Sequence, residues 1–222
     1  MKKQVKKEIK NKKIEPVKKE NKNGLFWVIT IMVSILALIM LIYFFINSFN
    51  SFEFQGLQFT KEKFGNLDIY HHAYNFADAD GQQYVYNLYL RSDPRENDVP
   101  VKGDIEFYQE GSLIYIAINA TDLAQCSNSS VALSSLTGFL SNNMFRVKGV
   151  SSDPAEAKSL NTTYANCESY PGNVMLYIQR DSKTSIGRYK NCYIMKVKDC
   201  NIVEVAEKFQ VQSIIDARNR KA

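Results

Sequence analysis

Four cysteines, Cys126, Cys167, Cys192 and Cys200, are the residues whose type and spacing indicate covalent chemistry. An even number of cysteines is typical of disulfide-bonded domains outside the cytoplasm. Their separations of 41, 25 and 8 residues include no Cys-x-x-Cys pair, so the spacing does not indicate a zinc site. The segment between Cys192 and Cys200 reads as a strand, which would hold its ends about 25 Å apart, whereas a disulfide needs Cα atoms within about 7 Å. We therefore expect two disulfides and disfavour the Cys192–Cys200 pairing.

The two histidines, His71 and His72, are adjacent in a predicted strand. Neighbouring strand residues point to opposite faces of a sheet, so the pair cannot bind one metal ion together, and we expect one packed and one exposed imidazole. The nearby Asp78-x-Asp80-Gly81 resembles part of a calcium-binding EF-hand loop, but Phe76 and Asn87 stand where that loop needs its first and twelfth ligands. We interpret the motif as a hairpin turn, and no metal ligand or cofactor is predicted.

The sequence contains neither Gly-x-Ser-x-Gly nor a serine followed three residues later by lysine, two patterns of nucleophilic catalysis. Arg91, Asp93 and Arg95 form a small charged set, which we interpret as local ion pairs in a loop. No catalytic residue is predicted. Three glycosylation sequons begin at Asn119, Asn128 and Asn161, a number that chance explains, and Asn161 is the best acceptor because it lies in an irregular stretch.

An uncharged segment over residues 25–46, without Gly or Pro, dominates the organisation of the chain. As a helix it would be about 33 Å long, enough to cross a hydrocarbon core of about 30 Å. Trp27 and Tyr43 lie near its two ends, where interfacial aromatic residues are favoured. We expect an uncleaved transmembrane helix, because the segment is longer than a signal-peptide core and no small-residue cleavage site follows it. Its partner is the lipid bilayer.

The charge of the chain is asymmetric about this segment. Residues 1–23 hold ten lysines and three glutamates, a side-chain charge of +7 against +5 for the whole chain, so the rest carries −2. A lysine-rich flank stays on the cytoplasmic side of a membrane. We predict a basic cytoplasmic tail over residues 1–24 and an extracytoplasmic domain over 47–222 at the cell membrane. Because the tail has no interleaved aromatic residue, no nucleic-acid partner is predicted.

The sequence Asn23-Gly24-Leu25-Phe26 resembles a type IV pilin leader, in which a basic tail and a small residue precede a retained apolar helix. The resemblance covers this segment only. Pilin leaders often have a basic residue before the cleaved bond, where this chain has Asn23, and glutamate at the fifth position after it, where this chain has Ile29. The resemblance implies a surface subunit whose mature chain begins at Leu25.

The domain after the apolar segment has α+β character. Alternating or fully apolar runs predict strands, and apolar positions three or four apart predict helices. The main strands are expected at 67–76, 83–91, 104–108, 113–118, 145–150, 174–179 and 192–198, and the main helices at 122–142 and 202–218. With a hairpin turn at 109–112, these elements predict one domain with a mixed, mainly antiparallel sheet and two or three helices.

The function that these observations favour is a binding or assembly module without a catalytic site, held at the outer membrane surface by its helix. Such a module would serve a protein partner there, as an accessory subunit of a membrane or cell-surface complex. A membrane-anchored hydrolase of unfamiliar type is the first alternative, and it would require polar side chains that converge in one pocket. A pilin-like surface subunit is the second.

Overall fold

The computed structural model describes residues 22–78, 80–107 and 112–221. The first 21 residues of the predicted basic tail lie outside this range. The contacts within the chain divide it into two units, Met1–Asn47 and Ser48–Ala222, and each unit is described by itself.

The first unit contains helix α1, Lys22–Asn50, whose last three residues belong to the second unit. Its segment Phe26–Phe45 is long and apolar enough to cross a membrane, judged by length and composition, and it is the only such helix among the described residues. Its side chains are exposed, and the hydroxyl of Thr30 donates a hydrogen bond to the Phe26 carbonyl at 2.9 Å. An apolar N-terminal helix followed by a disulfide-bonded domain indicates a secreted or membrane-anchored protein.

The second unit begins with a four-stranded antiparallel sheet in which neighbours in the chain are neighbours in space. Its strands are β1 Ser51–Phe54, β2 Leu57–Phe64, β3 Leu67–Ala77 and β4 Gln83–Leu90. Tight turns at Gly56 and Gly65 connect the first three strands, and both glycines have positive φ angles, 80° and 62°, that suit a residue without a Cβ. The alternation in β3 and β4 places one row of aromatic and leucine side chains on the inner face.

The second sheet is mixed, and its strand order is β5-β9-β10-β8-β6-β7. Its strands are β5 Val101–Lys102, β6 Leu113–Ile118, β7 Arg146–Ser151, β8 Val174–Arg180, β9 Ser185–Tyr189 and β10 Cys192–Val197. Strands β10, β8, β6 and the edge strand β7 run parallel to one another, and only the β9–β10 pair is antiparallel. The apolar character of both faces of β6 and β8 is explained by their central position, where each face is covered.

Four further helices follow α1 in the described residues: α2 Ala120–Leu123, α3 Ser129–Asn142, α4 Pro154–Ser159 and α5 Ile202–Lys221. Helices α3 and α5 pack on each other and share one core with the inner face of the four-stranded sheet and one face of the six-stranded sheet. Leu136 and Phe209 are fully buried in this core. The other face of the six-stranded sheet carries a smaller cluster around Tyr115, Val150 and Met175. The second unit is therefore α+β with helices between two sheets.

Several predictions are corrected by this architecture. The expected single, mainly antiparallel sheet is wrong, because the chain forms one antiparallel sheet and one mainly parallel sheet. Residues 104–107 are not a strand, whereas position 108 of the expected strand and positions 109–111 of the expected turn lie outside the described residues. The backbone N–H of Ile105 donates to the Asp216 carboxylate at 2.8 Å and that of Glu106 to the Tyr193 hydroxyl at 2.6 Å, so side chains replace a strand partner. Strand β6 instead pairs with β7 and β8.

The helix expected over 122–142 is divided into α2 and α3 by the turn at residues 124–128. The N–H of Cys126 donates to the Leu123 carbonyl and that of Ser129 to the Cys126 carbonyl, which ends one helix and starts the next. Cys126 is disulfide-bonded within this turn. The described part of the second unit thus has the four helices α2 to α5 instead of two or three, and α2 and α4 are short.

Candidate functional site

All four cysteines form disulfides in the structure, and none carries a free thiol. Cys126 pairs with Cys200, which ties the turn before α3 to the turn before α5, and their Cα atoms lie 5.3 Å apart. Cys167 pairs with Cys192 at a Cα distance of 5.4 Å and fastens the irregular segment after α4 over the outer face of the six-stranded sheet. The disfavoured Cys192–Cys200 pairing does not occur, because β10 separates the two residues. The cysteines therefore have structural roles.

The two histidines occupy opposite faces of β3, as strand alternation requires. His71 lies on the outer face, where its ring stacks on Tyr89 with centroids 4.7 Å apart and its Nε2 lies 2.9 Å from Asn87 Oδ1. His72 lies on the inner face and is buried. The adjacent pair does not converge on a common point, so it forms no metal site.

The two charged motifs of the sequence stabilise local turns. The Asp78 carboxylate accepts hydrogen bonds from the backbone N–H groups of Asp80 and Gln82, and this closes the turn between β3 and β4. Asp93 accepts two hydrogen bonds from Nε and Nη2 of Arg95, which lowers the pKa of its carboxyl group. Both motifs are local turn and loop structures, as interpreted from the sequence.

An open pocket of about 500 Å³ lies between β3, the end of α3 and the last turns of α5. We call it the β3–α5 pocket. Most of its lining is apolar and includes Leu57, Phe76, Phe107, Phe139, Phe145 and Ile214. Its volume falls within the range of about 300–1,000 Å³ that is usual for small-molecule sites, whose walls are mainly apolar with a few placed polar groups.

One wall of the pocket is an aromatic ladder along β3. The rings of His72 and Tyr74 stack with centroids 5.8 Å apart, and Tyr74 contacts Phe76 at 6.2 Å. The Tyr74 hydroxyl donates to Asn143 Oδ1 at 2.7 Å, and Asn143 donates through Nδ2 to the Phe139 carbonyl at 2.8 Å. Burial raises the pKa of Tyr74 far above its usual value, so this hydroxyl stays protonated. The network joins β3 to the end of α3 and fixes the wall.

His72 belongs to the pocket lining, and its ring is buried. Its Nδ1 lies 2.7 Å from the Gln58 carbonyl oxygen, which can only accept, so Nδ1 carries the ring proton. Burial lowers the pKa of His72, and the neighbouring charges of His71 and Arg218 lower it further. Its Nε2 is a buried atom that has no hydrogen-bond partner among the described residues. A buried acceptor without a partner costs about 1–3 kcal/mol.

Two guanidinium groups from the end of α5 complete the lining. Arg218 donates from Nη1 to the Gly56 carbonyl, and Arg220 donates from Nη1 to the Ile105 carbonyl at 3.0 Å. These bonds hold both exposed side chains at the pocket, and within the described part of the chain neither guanidinium is paired with a carboxylate. The described lining of the pocket therefore combines an apolar body with two positive charges.

Ser213 is the only serine that the described residues contribute to this lining, and its hydroxyl donates to the Phe209 carbonyl at 2.6 Å, so it is not held as a nucleophile by a base. The described lining residues include two arginines and no carboxylate, and with the large apolar wall they suit an anionic molecule with an apolar body.

A second, smaller crevice of about 190 Å³ lies at the carboxyl ends of β6, β7 and β8. Ligands of open α/β sheets often bind at this kind of position, where the strand order reverses. Here the polar groups hold neighbouring turns: Asn119 Oδ1 accepts from the N–H of Asp122 at 3.0 Å, Asp153 Oδ1 accepts from the N–H of Glu156 at 2.7 Å, and Arg180 donates to Gln125 at 2.6 Å. We interpret this crevice as structural.

Asn161, the best glycosylation candidate, is exposed directly after α4. Its φ angle is 50°, a left-handed conformation that asparagine tolerates better than most residues. It lies outside the linings of both cavities. Its glycosylation stays a prediction.

No family model matches this chain, and no curated protein or solved structure is significantly similar to it. The β3–α5 pocket is also absent from the sequence predictions, because its residues come from five separate stretches of the chain. One signal was available. The residues Tyr70, His72, Tyr74 and Phe76 alternate along one face of β3, and only Tyr70 belongs to the main hydrophobic core. The run of aromatic residues, with a histidine among them, therefore continues beyond that core.

Proposed function

We propose that this chain is a membrane-anchored, extracytoplasmic binding module whose β3–α5 pocket holds an anionic amphiphile. In this proposal residues 1–24 are cytoplasmic, residues 25–46 span the cell membrane, and residues 47–222 form the binding domain outside. The module serves a membrane or cell-surface assembly, with the pocket as its ligand site and a protein partner at the membrane surface.

The observation that carries the proposal is the combination of a largely apolar pocket of about 500 Å³ with two guanidinium groups, those of Arg218 and Arg220, in its lining. An apolar body with a few placed polar groups is the usual form of a small-molecule site.

The positions of Arg218 and Arg220 support the anionic part of the ligand. Both belong to the pocket lining and are held by backbone carbonyls, so an entering carboxylate meets guanidinium groups that are already oriented. A charge-assisted hydrogen bond contributes about 1.5–3 kcal/mol, or about 10- to 100-fold in Kd. The apolar walls supply the remainder through burial of the ligand's hydrocarbon part.

The proposal is tested with a ten-carbon fatty acid that carries a diazirine for photo-crosslinking and an alkyne for detection. The full chain in lipid nanodiscs is irradiated with this probe, and the labelled peptides are identified by mass spectrometry. We expect labelling in peptides that contain β3 and the end of α5. Replacement of both arginines, Arg218→Gln with Arg220→Gln, should weaken labelling by at least about tenfold.

Three comparisons make the result specific. Arg180→Gln removes the same kind of charge from the exposed surface of the structural crevice and should not change labelling. The corresponding ten-carbon alcohol, which has no anionic group, should label wild type weakly and respond little to the arginine changes. Ala217→Phe, which fills part of the pocket, should abolish labelling by both probes. Equal labelling of wild type and Ala217→Phe would refute the pocket as the site.

The topology is tested by the intact mass of the protein extracted from membranes, before and after reduction and alkylation. A full-length mass with four thiols that react only after reduction supports the anchor and the extracytoplasmic location. A chain that begins at Leu25 would support the pilin-like alternative instead.

A further inference from the structure

The hairpin that joins β2 and β3 ends in the most exposed large apolar side chain of the described part of the second unit. Phe64 is 80% exposed and its cross-strand partner Leu67 is 49% exposed. The two-residue turn between them, Gly65-Asn66, adds no larger side chain that could cover either one. An exposed phenylalanine and leucine at a loop tip are typical of a contact with an apolar phase.

The register of the sheet places this tip at the end where the chain enters the second unit. Ser51, the first residue of β1, pairs with Thr60, and β2 continues from there to Phe64. At about 3.3 Å per residue, the four additional residues carry the tip about 13 Å beyond Ser51, in the direction opposite to that in which β1 runs. The tip therefore lies beyond the end of the sheet at which β1 begins.

The chain length to the bilayer is short. Four residues lie between Ile46, the last residue of the proposed span, and Ser51, so the Cα atoms of Ile46 and Ser51 can be no more than about 18 Å apart. In the proposed topology Ser51 therefore lies near the membrane surface, and the tip is the part of the four-stranded sheet that extends furthest past Ser51 along β2.

The charges around the tip indicate how it would meet a membrane. Lys61 pairs with Asp68 at 2.8 Å, and Glu62 lies 3.3 Å from His71 Nδ1. With Lys63 included, the two lysines and two carboxylates next to the tip cancel. Attraction to anionic head groups is therefore not expected, and contact would come from the apolar side chains, which the interfacial region of a bilayer accepts.

We propose that Phe64 and Leu67 insert into the interfacial region of the outer leaflet as a second membrane contact, which orients the domain on its anchor. This inference rests on the membrane anchor of the proposed function and names a surface that the anchor itself does not require. The bilayer is the favoured occupant because of the short connection and the direction of β2.

The test uses tryptophan fluorescence in the full chain, reconstituted into phosphatidylcholine vesicles with or without bromine atoms on the acyl chains near the head group. Trp27 is the only tryptophan and lies in the anchor, so its quenching in the native chain reports on the anchor alone. The variant Trp27→Phe with Phe64→Trp then places the only indole at the tip. We expect the tryptophan emission of this variant to be at least about twofold lower with brominated lipid. The reason is that an indole inserted into the interfacial region lies close to the bromine atoms.

Val85→Trp in the same Trp27→Phe background is the matched control. Val85 is 66% exposed on the same sheet and pairs with Asn75, eight residues along β3 from Leu67. About 26 Å of strand separates it from the tip, so its emission should not change with brominated lipid. Both substitutions are at exposed positions, and circular dichroism checks that each variant is folded.

The outcomes distinguish the two proposals. Loss of quenching for Trp27 would overturn the anchor and the tip contact together. Quenching of Trp27 without quenching at position 64 would overturn the tip contact alone, and equal quenching at positions 64 and 85 would do so as well. A blue-shifted but unquenched indole at position 64 would show that protein covers the tip, which also overturns the lipid contact.

Discussion

Replacement of Glu156 by glutamine should lower the free energy of unfolding substantially, because this carboxylate stabilises the carboxyl-terminal end of β7 in the six-stranded sheet. The carboxylate projects from α4, is 9% exposed, and accepts four hydrogen bonds. The donors are the Ser151 hydroxyl at 2.7 Å, the N–H and hydroxyl of Thr121 at 2.7 and 2.9 Å, and the N–H of Ala120 at 3.1 Å. One side chain thus joins the end of β7 to the first turn of α2.

The magnitude follows from the pKa of this group. The Ser151 hydroxyl, followed by the N–H groups of Thr121 and Ala120, lowers the pKa of Glu156 from 4.5 to about 2. Each pKa unit corresponds to about 1.4 kcal/mol, so the ionised carboxylate contributes about 3 kcal/mol at neutral pH. Glutamine has the same size, but its amide NH₂ group would face hydrogen-bond donors that one carboxylate oxygen of Glu156 accepts from. We expect Glu156→Gln to lose about 2–3 kcal/mol of unfolding free energy at pH 7.

The pH dependence has a definite direction. The folded pKa lies below the unfolded one, so the contribution of Glu156 is complete above pH 4.5 and is lost as the pH falls towards 2. The difference between wild type and Glu156→Gln should therefore be constant from pH 7 to about 5 and then shrink. Glu168→Gln is the matched control, because Glu168 is exposed and its replacement should change stability by no more than about 0.5 kcal/mol.

The assay is urea unfolding of the full chain in detergent micelles, followed by the near-ultraviolet circular dichroism of the tyrosines. Measurements at pH 7, 5, 4 and 3 give the difference between the two proteins as a curve. An unchanged midpoint for Glu156→Gln at pH 7 would refute the reasoning. A loss of equal size at pH 7 and pH 3 would also refute it, because the effect would then come from packing instead of charge.

Three further predictions concern the rest of the domain. Removal of the 74-residue cross-link, by Cys126→Ser with Cys200→Ser, should cost about 4 kcal/mol in the same urea assay. Leu136→Ala, at a fully buried position, should cost about 2–5 kcal/mol, whereas Val131→Ala at a partly exposed position of the same helix should cost far less. Burial raises the pKa of Glu207, so ionisation of this group disfavours the folded state. The unfolding free energy of Glu207→Gln should therefore increase relative to that of wild type as the pH rises above 4.5, and a pH series of unfolding curves measures this difference.

The sequence predicted the features that depend on one segment at a time. The 192–198 strand was correct to within a residue, and the length of that strand is the reason that a Cys192–Cys200 disulfide was disfavoured. The last helix was predicted to begin at Ile202, and it does. The helix break at Cys126 was missed, since the apolar spacing continues through it and only the disulfide partner far away in sequence accounts for the turn.

Features that depend on strand partners were harder to predict. An apolar run such as β6 fits the centre of a parallel or an antiparallel sheet equally well, and nothing within the strand itself identifies β7 and β8 as its neighbours. The pocket is a second case. Tyr74 and Arg218 both line it, but they are brought together only by the packing of α5 against the two sheets, which no local pattern encodes.

Strand β3 connects the two proposed functional features. The tip lies at its first residue, Leu67, and the pocket wall lies at Tyr74 and Phe76 near its other end. At about 3.3 Å per residue, Phe76 is about 30 Å from the tip along the strand. If the tip rests in the outer leaflet with β3 along the membrane normal, a molecule in the pocket has left the bilayer completely. The pocket should then favour amphiphiles that exist as monomers in water, and lengthening the fatty-acid probe from ten to eighteen carbons should weaken labelling despite the greater apolar surface.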